Sequence, residues 1–593
     1  MIRVADYIVQ RLVEAGIDTT FLLTGRGILF LSDAIAKNEQ VQPICVHHEQ
    51  AAAFAAVGYA QQTNKLGCCV VSTGCASTNT LTGVLNAWQD GVPLVVISGQ
   101  NKKNETVVYT GKHIRTYGSQ EANLIPVVTP ITKYATTLLH PEQIAEVMDR
   151  ALWEATHGVK GPVWIDVPVD VQNMRIEPNS LTHWSFDELS VETSIDIIND
   201  IVDSLNIAER PVLLIGNGIR SANAVDALCQ WMQRYTIPVV YSASAVDIYG
   251  TSNKYSIGTV GTIGCNRAAN FTIQNADLIL SIGCRLSPTL TGSEYTKFAR
   301  EAKIIVVDID EVEHSKNTVR IDRFVHADAL DFIQKISNYD IRPISIAWLD
   351  KVLHWKKIFP KVEDNFIQEG QIDLYEIASI LSTLLPNDAV VLTDAGMEEL
   401  LIPTTIDFGA NQRMLHPASQ GCMGVALPAS IGAYYACKHD VIAVIGDGSV
   451  MMNIQELQTI ANYNIPVKII VINNGIYAVI RKRQKELFRT RTIGTDTTNG
   501  VSVPSFENLS NCFNIPYYRI DSKDCLAFGI KHILSANGPI LCEIIATENQ
   551  DYIRSGAAFN NQRKFVNRPI EDQMPFLDRE LIKEEMIIEP IDM

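Results

Sequence analysis

Short apolar runs rich in β-branched residues alternate along this chain with stretches whose apolar positions recur at helical spacing. VIAVI (441–445) reads as a buried parallel strand. Gly446-Asp447-Gly448 is a turn, and Ser449 is expected to cap a helix whose apolar positions are Met452, Ile454, Leu457 and Ile460. Asn464 and Pro466 stop that helix, and VKIIVI (467–472) is a second strand. In such a unit the strands run parallel and open their carboxyl ends on one side of the sheet. Asp447 leaves one end and Asn474 the other. A carboxylate and an amide oxygen beside a helix N-terminus suit Mg²⁺ and a diphosphate.

The same alternation runs through the rest. Residues 3–15 form an amphipathic helix pattern ending at Gly16, and TTFLLTG (19–25) is a strand running into Gly25-Arg26-Gly27. Residues 41–46 are a short strand, after which Glu49 opens a helix of small residues, Ala51 through Ala60. A glutamate at a helix start, taken alone, complements the helix dipole. RPVLLIGNGI, ADLILSIGCRL and AKIIVVDID are further strands, following a linker over 172–192. The pattern predicts an α/β chain of three doubly wound parallel-sheet domains, 1–175, 190–345 and 365–550, with a C-terminal strap or lid over 551–593.

Composition narrows the function classes. Of 593 residues, 47% are apolar and 19% charged, as in an ordered globular protein. A net charge of −17 argues against general nucleic-acid binding. Arg3 and Asp6 interrupt any amino-terminal signal, and no apolar stretch is long enough to span a bilayer. The 12 cysteines form no CxxC pair, which argues against zinc, and adjacent Cys68 and Cys69 in a buried strand suit reduced thiols in a cytoplasm.

Gly446-Asp447-Gly448 is followed, after 24 intervening residues, by Asn473-Asn474. This resembles the signature of thiamine diphosphate (ThDP) enzymes. The resemblance implies that Asp447 and Asn474 bind Mg²⁺, with the Ile476 carbonyl as a third protein ligand, and that Gly446, Gly448 and Ser449 line the cofactor. HHEQAAAFAAVGYA (47–60), VVSTGCASTNTLTGVLNAWQDGVPLVVISGQ (70–100) and GPVWIDVPVDVQ (161–172) closely resemble the amino-terminal, pyrimidine-binding domain of the acetolactate synthase family. That implies contacts to ThDP from Gly25, Thr73 and Asn79, and makes Glu49 the glutamate that hydrogen-bonds the aminopyrimidine N1′. Protonation at N1′ gives access to the imino tautomer that removes the thiazolium proton. Ser119 stands where the family has an aromatic residue, while Gln120 and Glu121 are kept, so Gln120 is a catalytic candidate. His113 lies in a loop where related 2-oxoacid decarboxylases keep a histidine pair, which makes it a relay candidate.

IGNG (215–218), GTVGTIGCNRAAN (258–270), GCRL (283–286) and VDIDE (307–311) resemble the family's central domain. In FAD-containing members these regions line a structural FAD, here implied on Gly216, Gly264, Arg285 and Asp310; an empty domain is the alternative. A second family arginine is replaced within SPTLTG. In the diphosphate-binding domain, HPASQGCMGVALPASIGA (416–433) implies that the Gly421 carbonyl accepts from the 4′-amino group and that Met423 wedges the bent cofactor. Met397-Glu398 replace the family's Gln-His, and Glu398 pointing inward would repel a phosphate.

Arg483 replaces a family tryptophan inside AVIRKRQKELFRTRT. That basic run reads as a solvated helix face or as a site, through Arg481 and Arg483, for an anionic acceptor such as a nucleotide sugar's diphosphate. The tail resembles that of ThDP enzymes of surface-polysaccharide pathways. The resemblance therefore implies a ThDP- and Mg²⁺-dependent carboligase moving a two-carbon unit from pyruvate or another 2-oxoacid to a carbonyl acceptor, which is pyruvate itself or a nucleotide-linked keto-sugar. A 2-oxoacid decarboxylase and a non-catalytic ThDP-binding homologue are the alternatives. A homodimer or homotetramer is expected, with Glu49 of one subunit meeting the diphosphate domain of the other.

Overall fold

Three six-stranded sheets follow one another along the chain, every strand in them parallel to its neighbours. The computed structural model describes residues 1–186 and 191–591; residues 187–190, within the expected linker, and 592–593 lie outside the described residues. In the first sheet, β1 (Thr19–Leu22), β2 (Gln42–Cys45), β3 (Gly67–Val71), β4 (Leu94–Gln100), β5 (Tyr134–Thr137) and β6 (Pro162–Pro168) lie in the order β2-β1-β3-β4-β6-β5. In the middle sheet, β7 (Pro211–Ile215), β8 (Val239–Tyr241), β9 (Ser256–Thr259), β10 (Leu278–Ile282), β11 (Lys303–Asp308) and β12 (Arg323–His326) are ordered β9-β8-β7-β10-β11-β12. The third holds β13 (Val390–Thr393), β14 (Arg413–Leu415), β15 (Val441–Gly446), β16 (Val467–Asn473), β17 (Tyr517–Ile520) and β18 (Ile540–Ile545), ordered β14-β13-β15-β16-β18-β17. The outer two sheets thus share one topology, and the middle one has another. Central strands such as β3, β4, β6 and β7 are buried along their whole length, which is why they read as unbroken apolar runs.

The two outer domains dock directly through α1 (Glu49–Thr63) and α2 (Ala426–Cys437). Every residue of α1 from Ala51 to Ala60 is buried. Glycine makes the close crossing achievable: a Cβ on Gly58 would lie 2.3 Å from the Ala429 carbonyl oxygen, and one on Gly432 1.8 Å from that of Ala55. The small-residue pattern of α1 is therefore a docking surface as well as a helix start bearing Glu49.

After β18 the chain returns over the middle domain. A short hairpin pairs Ala557–Phe559 with Phe565–Asn567, and helix Arg579–Glu585 ends on Glu585, which accepts from Lys351 Nζ at 2.7 Å and Trp355 Nε1 at 3.0 Å. Arg554 pairs with Ile263 and Met574 as isolated backbone bridges.

One local expectation is corrected. Ser449 does not cap a helix: Gly446 is the N-cap residue of a one-turn helix, Asp447–Val450, which gives way to a 3₁₀ turn (Met451–Asn453) and then to helix Glu456–Asn462. The Ser449 hydroxyl is drawn away to Asp394, and Met452 is exposed rather than in the core.

Candidate active site

The third domain builds its site at the carboxyl ends of β15 and β16. Asp447 leaves β15 and is 3% exposed. Its Oδ2 accepts from Gly475 N at 2.7 Å. Burial pushes this carboxyl up to about 6, against backbone N–H groups of Gly475, Gly448 and Asn474, and among the described residues no ion pair to Asp447 offsets the burial. Asn474 Oδ1 accepts from Ile476 N at 3.1 Å, which folds the loop after β16 so that Ile476 follows directly beside Asp447 and Asn474. Among the described residues no cluster of three or more His, Cys, Asp or Glu is placed to hold a metal. A cation here relies on one carboxylate with amide and carbonyl oxygens, a hard-oxygen set that fits Mg²⁺. Gly448 lies flat against Tyr477, where a Cβ would be 1.9 Å from the ring.

Two further acids stand behind Asp447. Asp394, just past β13, is wholly buried; it accepts from Ser449 Oγ at 2.7 Å and Ala426 N at 3.0 Å, and burial pushes it up to about 7. Ser449 in turn accepts from Gly424 N at 2.8 Å, so Asp394 and Ser449 together hold the turn that carries half-buried Met423 and exposed Gly421. Gly421 itself has φ +57, the left-handed conformation that favours glycine. Glu398 does point inward, with its carboxyl 3.4 Å from where a Cβ on Gly446 would lie. Burial, reinforced by Asp447 and Asp394, pushes it up to about 8. Burial beside Asp447 and Asp394 thus favours the uncharged acid, which lessens the repulsion expected of it at a phosphate.

In the first domain Glu49 sits at the first turn of α1, buried, with Oε2 accepting from Asn79 Nδ2 at 2.9 Å. Thr73 is buried under the Gly25-Arg26-Gly27 turn: a Cβ on Gly27 would lie 2.0 Å from Thr73 Oγ1. The backbone of Gln120 presses on Gly74 in the same loop cluster, where a Cβ would be 1.9 Å from the Gln120 carbonyl oxygen. His113 is exposed in the segment leading to Gln120. One amide links the two domains near these groups. Asn453 Nδ2 donates to Gln50 Oε1 at 3.0 Å and to Gly424 O at 2.8 Å, joining the neighbour of Glu49 to the turn of Met423.

The residues expected around FAD have structural duties of their own. Gly216 and Gly218 meet the backbone of Gly283 across the ends of β7 and β10, and Gly264, at φ +53, packs on Leu400 O. Asp310 caps a short helix through Glu313 N at 2.9 Å. Arg285 is exposed and donates to Ser419 Oγ at 3.2 Å. In the basic run, helix α3 (Ala478–Phe488), Arg481 is spent on Glu548 at 2.7 Å, whereas Arg483 is 65% exposed.

Sequence reasoning missed Asp394 and Asn453. An acid at the carboxyl end of an apolar strand, VVLTD, was the available signal for the first. Nothing local marks the second.

Family models for thiamine pyrophosphate enzymes match in all three domains: the N-terminal TPP binding domain over residues 2–123, the central domain over 198–336 and the C-terminal TPP binding domain over 394–544. The chain is 30% identical to the acetolactate synthase large subunit of Parasynechococcus marenigrum, over 91% of this chain and 87% of that one. It is 28% identical to the large subunit from Lactococcus lactis, covering 92% and 93%. It is 29% identical to the acetolactate synthase isozyme 2 large subunit of Escherichia coli, covering 92% and 95%.

Proposed function

The chain belongs to the thiamine diphosphate-dependent, acetolactate synthase-like enzymes, and from that premise we propose a Mg²⁺-dependent carboligase. It takes a two-carbon unit from pyruvate, or another 2-oxoacid, with loss of CO₂ and delivers it to a second carbonyl. The observation that carries this reading is Asp447, a buried carboxylate without a cationic partner, set beside Asn474 and Ile476 at two strand ends.

Bound ThDP supplies a nucleophilic carbon and an electron sink. Asp447, Asn474 and the Ile476 carbonyl would hold the cation. Gly446, with no side chain, would let backbone and the Glu398 acid approach the diphosphate. Glu49, fixed on one oxygen by Asn79, would offer the other to the cofactor ring nitrogen and hold a proton there. Met423 and the Gly421 carbonyl shape the pocket between them. His113 and Gln120 remain candidates on the acceptor side, in one loop.

FAD in the middle domain belongs to the same reading. Its support is the strand order β9-β8-β7-β10-β11-β12, whose reversal between β7 and β10 is where dinucleotides bind. The visible spectrum of the purified protein tests it; a colourless protein that takes up no added FAD removes it. A homodimer or homotetramer sharing sites between subunits is also part of the reading, and so is a reducing cytoplasm, which 12 free cysteines suit. Among the described residues no helix is long and apolar enough to cross a membrane.

The test is product identification by NMR from labelled pyruvate with ThDP and Mg²⁺. A ketol such as acetolactate is expected. Acetaldehyde as the sole product, or no CO₂ release from protein that binds ThDP, overturns the reading.

A further inference from the structure

Behind the proposed cation site runs a chain of hydrogen bonds that starts two strands away from Asp447. Glu543 on β18 is buried. A buried carboxylate costs free energy that an apolar side chain in a strand does not, unless donors satisfy it. Glu543 has two such donors. The Tyr517 hydroxyl from β17 donates to Oε2, and Asn473 Nδ2, at the end of β16, donates to Oε1 at 2.6 Å. Arg519 Nη1 stands farther off, 3.8 Å from Oε2.

A carboxylate can only accept, so Glu543 decides which way the Asn473 amide faces. With Nδ2 turned to Glu543, Oδ1 is left to face the loop that follows β16. There it accepts from Gly475 N at 3.1 Å, and the same N–H reaches Asp447 Oδ2 at 2.7 Å. Gly475 has φ +70, and no atom lies within 4 Å of where its Cβ would be. Side-chain packing therefore does not hold this residue, and its shared N–H does. Gly475 is the link between Asn474 and Ile476. The first domain repeats the device. Asp166 on β6 accepts from Gln100 Nε2, at the end of β4, at 3.3 Å, and that Nε2 also donates to Ala122 O at 2.9 Å, two residues beyond Gln120. In both domains an acid on the strand fifth in spatial order holds an amide on its neighbour, and the amide holds a loop that carries residues of the proposed site.

We propose that Glu543 is a positioning residue for the divalent cation: through the Asn473 amide it sets the loop that presents the Asn474 side chain and the Ile476 carbonyl beside Asp447. Glu543 acts only through Asn473. Partners of this kind, one bond behind the ligands, orient a metal site and tune its affinity. The proposal rests on the reading of Asp447, Asn474 and Ile476 as the cation site.

The probe is Mg²⁺, titrated calorimetrically into the full-length protein in the presence of ThDP, with unfolding temperatures measured alongside. Glu543→Ala is expected to weaken Mg²⁺ by roughly 10–100-fold. Glu543→Gln keeps an oxygen for Asn473 Nδ2 and should stay close to wild type. Asn473→Ala should match Glu543→Ala, and the double variant should lose no more than either alone, because both act along one path. A merely structural role for Glu543 lowers the unfolding temperature and leaves Mg²⁺ affinity where it was, which overturns the proposal. Additive losses in the double variant also overturn it. So does a Glu543→Gln loss as large as that of Glu543→Ala, since the charge and not the amide contact would then matter. Should Glu543→Ala not fold, half-buried Asn473→Ala decides: unchanged Mg²⁺ affinity there overturns the proposal. If wild type binds no Mg²⁺ with ThDP present, the cation reading fails and the positioning role with it. If wild type binds and the variants match it, only the positioning role fails.

Discussion

The first and third domains are built on one plan and diverge at one turn. Both sheets run 2-1-3-4-6-5, counted within each domain. Both bury a carboxylate on the strand fifth in spatial order and clasp it from the strands on either side. Asp166 on β6 is held by Ser98 from β4 at 2.6 Å and by Thr137 from β5 at 3.5 Å. Glu543 on β18 is held by Asn473 from β16 at 2.6 Å and by Tyr517 from β17. The difference lies at the carboxyl end of the third strand. There the first domain has Ser72-Thr73-Gly74, neutral and pressed under Gln120, and the third has Asp447-Gly448-Ser449. Beside that turn the third domain adds Asp394 and Glu398, so that three acids crowd one strand end. A shared scaffold thus carries a neutral turn in one copy and a turn crowded by three acids in the other, so that what the two copies can do differs at the turn rather than in the topology.

The largest expected effect tests what the first domain contributes. Glu49→Gln should keep ThDP binding by calorimetry and lose turnover by roughly 10²–10⁴-fold; normal turnover removes Glu49 from the mechanism. Asp447→Ala makes the third-domain turn resemble the first, and should weaken Mg²⁺-dependent ThDP binding by roughly a hundredfold or more. Mixed dimers of these two variants should regain activity if each site draws on two subunits, and stay inactive if it does not. Gly432→Val attacks the joint between the domains. With no room at the Ala55 carbonyl, it should cost roughly 3 kcal/mol, read as a lower unfolding temperature; an unchanged value would mean that the helices separate freely. The smallest effect concerns the clasped acid. Burial holds Asp166 up to about 7, against an ordinary 3.8. Above about pH 4 the unfolded chain loses this proton and the folded chain keeps it, so stability falls as pH rises toward about 7, on the order of 1 kcal/mol per unit. Asp166→Asn should remove that share of the slope in urea unfolding at several pH values; equal slopes would contradict the shift.

What the sequence showed about these domains was what is local. β15 and β16 could be read because an apolar run and a glycine turn declare themselves within a few residues, and the ends of those strands fix Asp447 and Asn474. Ser449 looked like a cap because its partner, Asp394, is on another strand and invisible to local patterning. Glu398 looked repulsive because its charge was assumed; its burial among other acids, which favours the uncharged form, is a tertiary property. The six cations near α3 looked like one patch, yet Arg481 and Lys482 are paired with Glu548 and Asp551 from beyond β18, which leaves Arg483, Lys485, Arg489 and Arg491 on the exposed side.

The glycine crossing of α1 and α2 also sets a timetable for biosynthesis. The partners lie in the first and last thirds of the chain, so the first domain leaves the ribosome long before Ala429 and Gly432 exist. At ordinary elongation rates that interval is on the order of tens of seconds. Throughout it, the α2-facing side of α1, which has neither charge nor bulk, has nothing to cover it. The helix that carries Glu49 is therefore sealed on that side only once the last third of the chain has been made and folded.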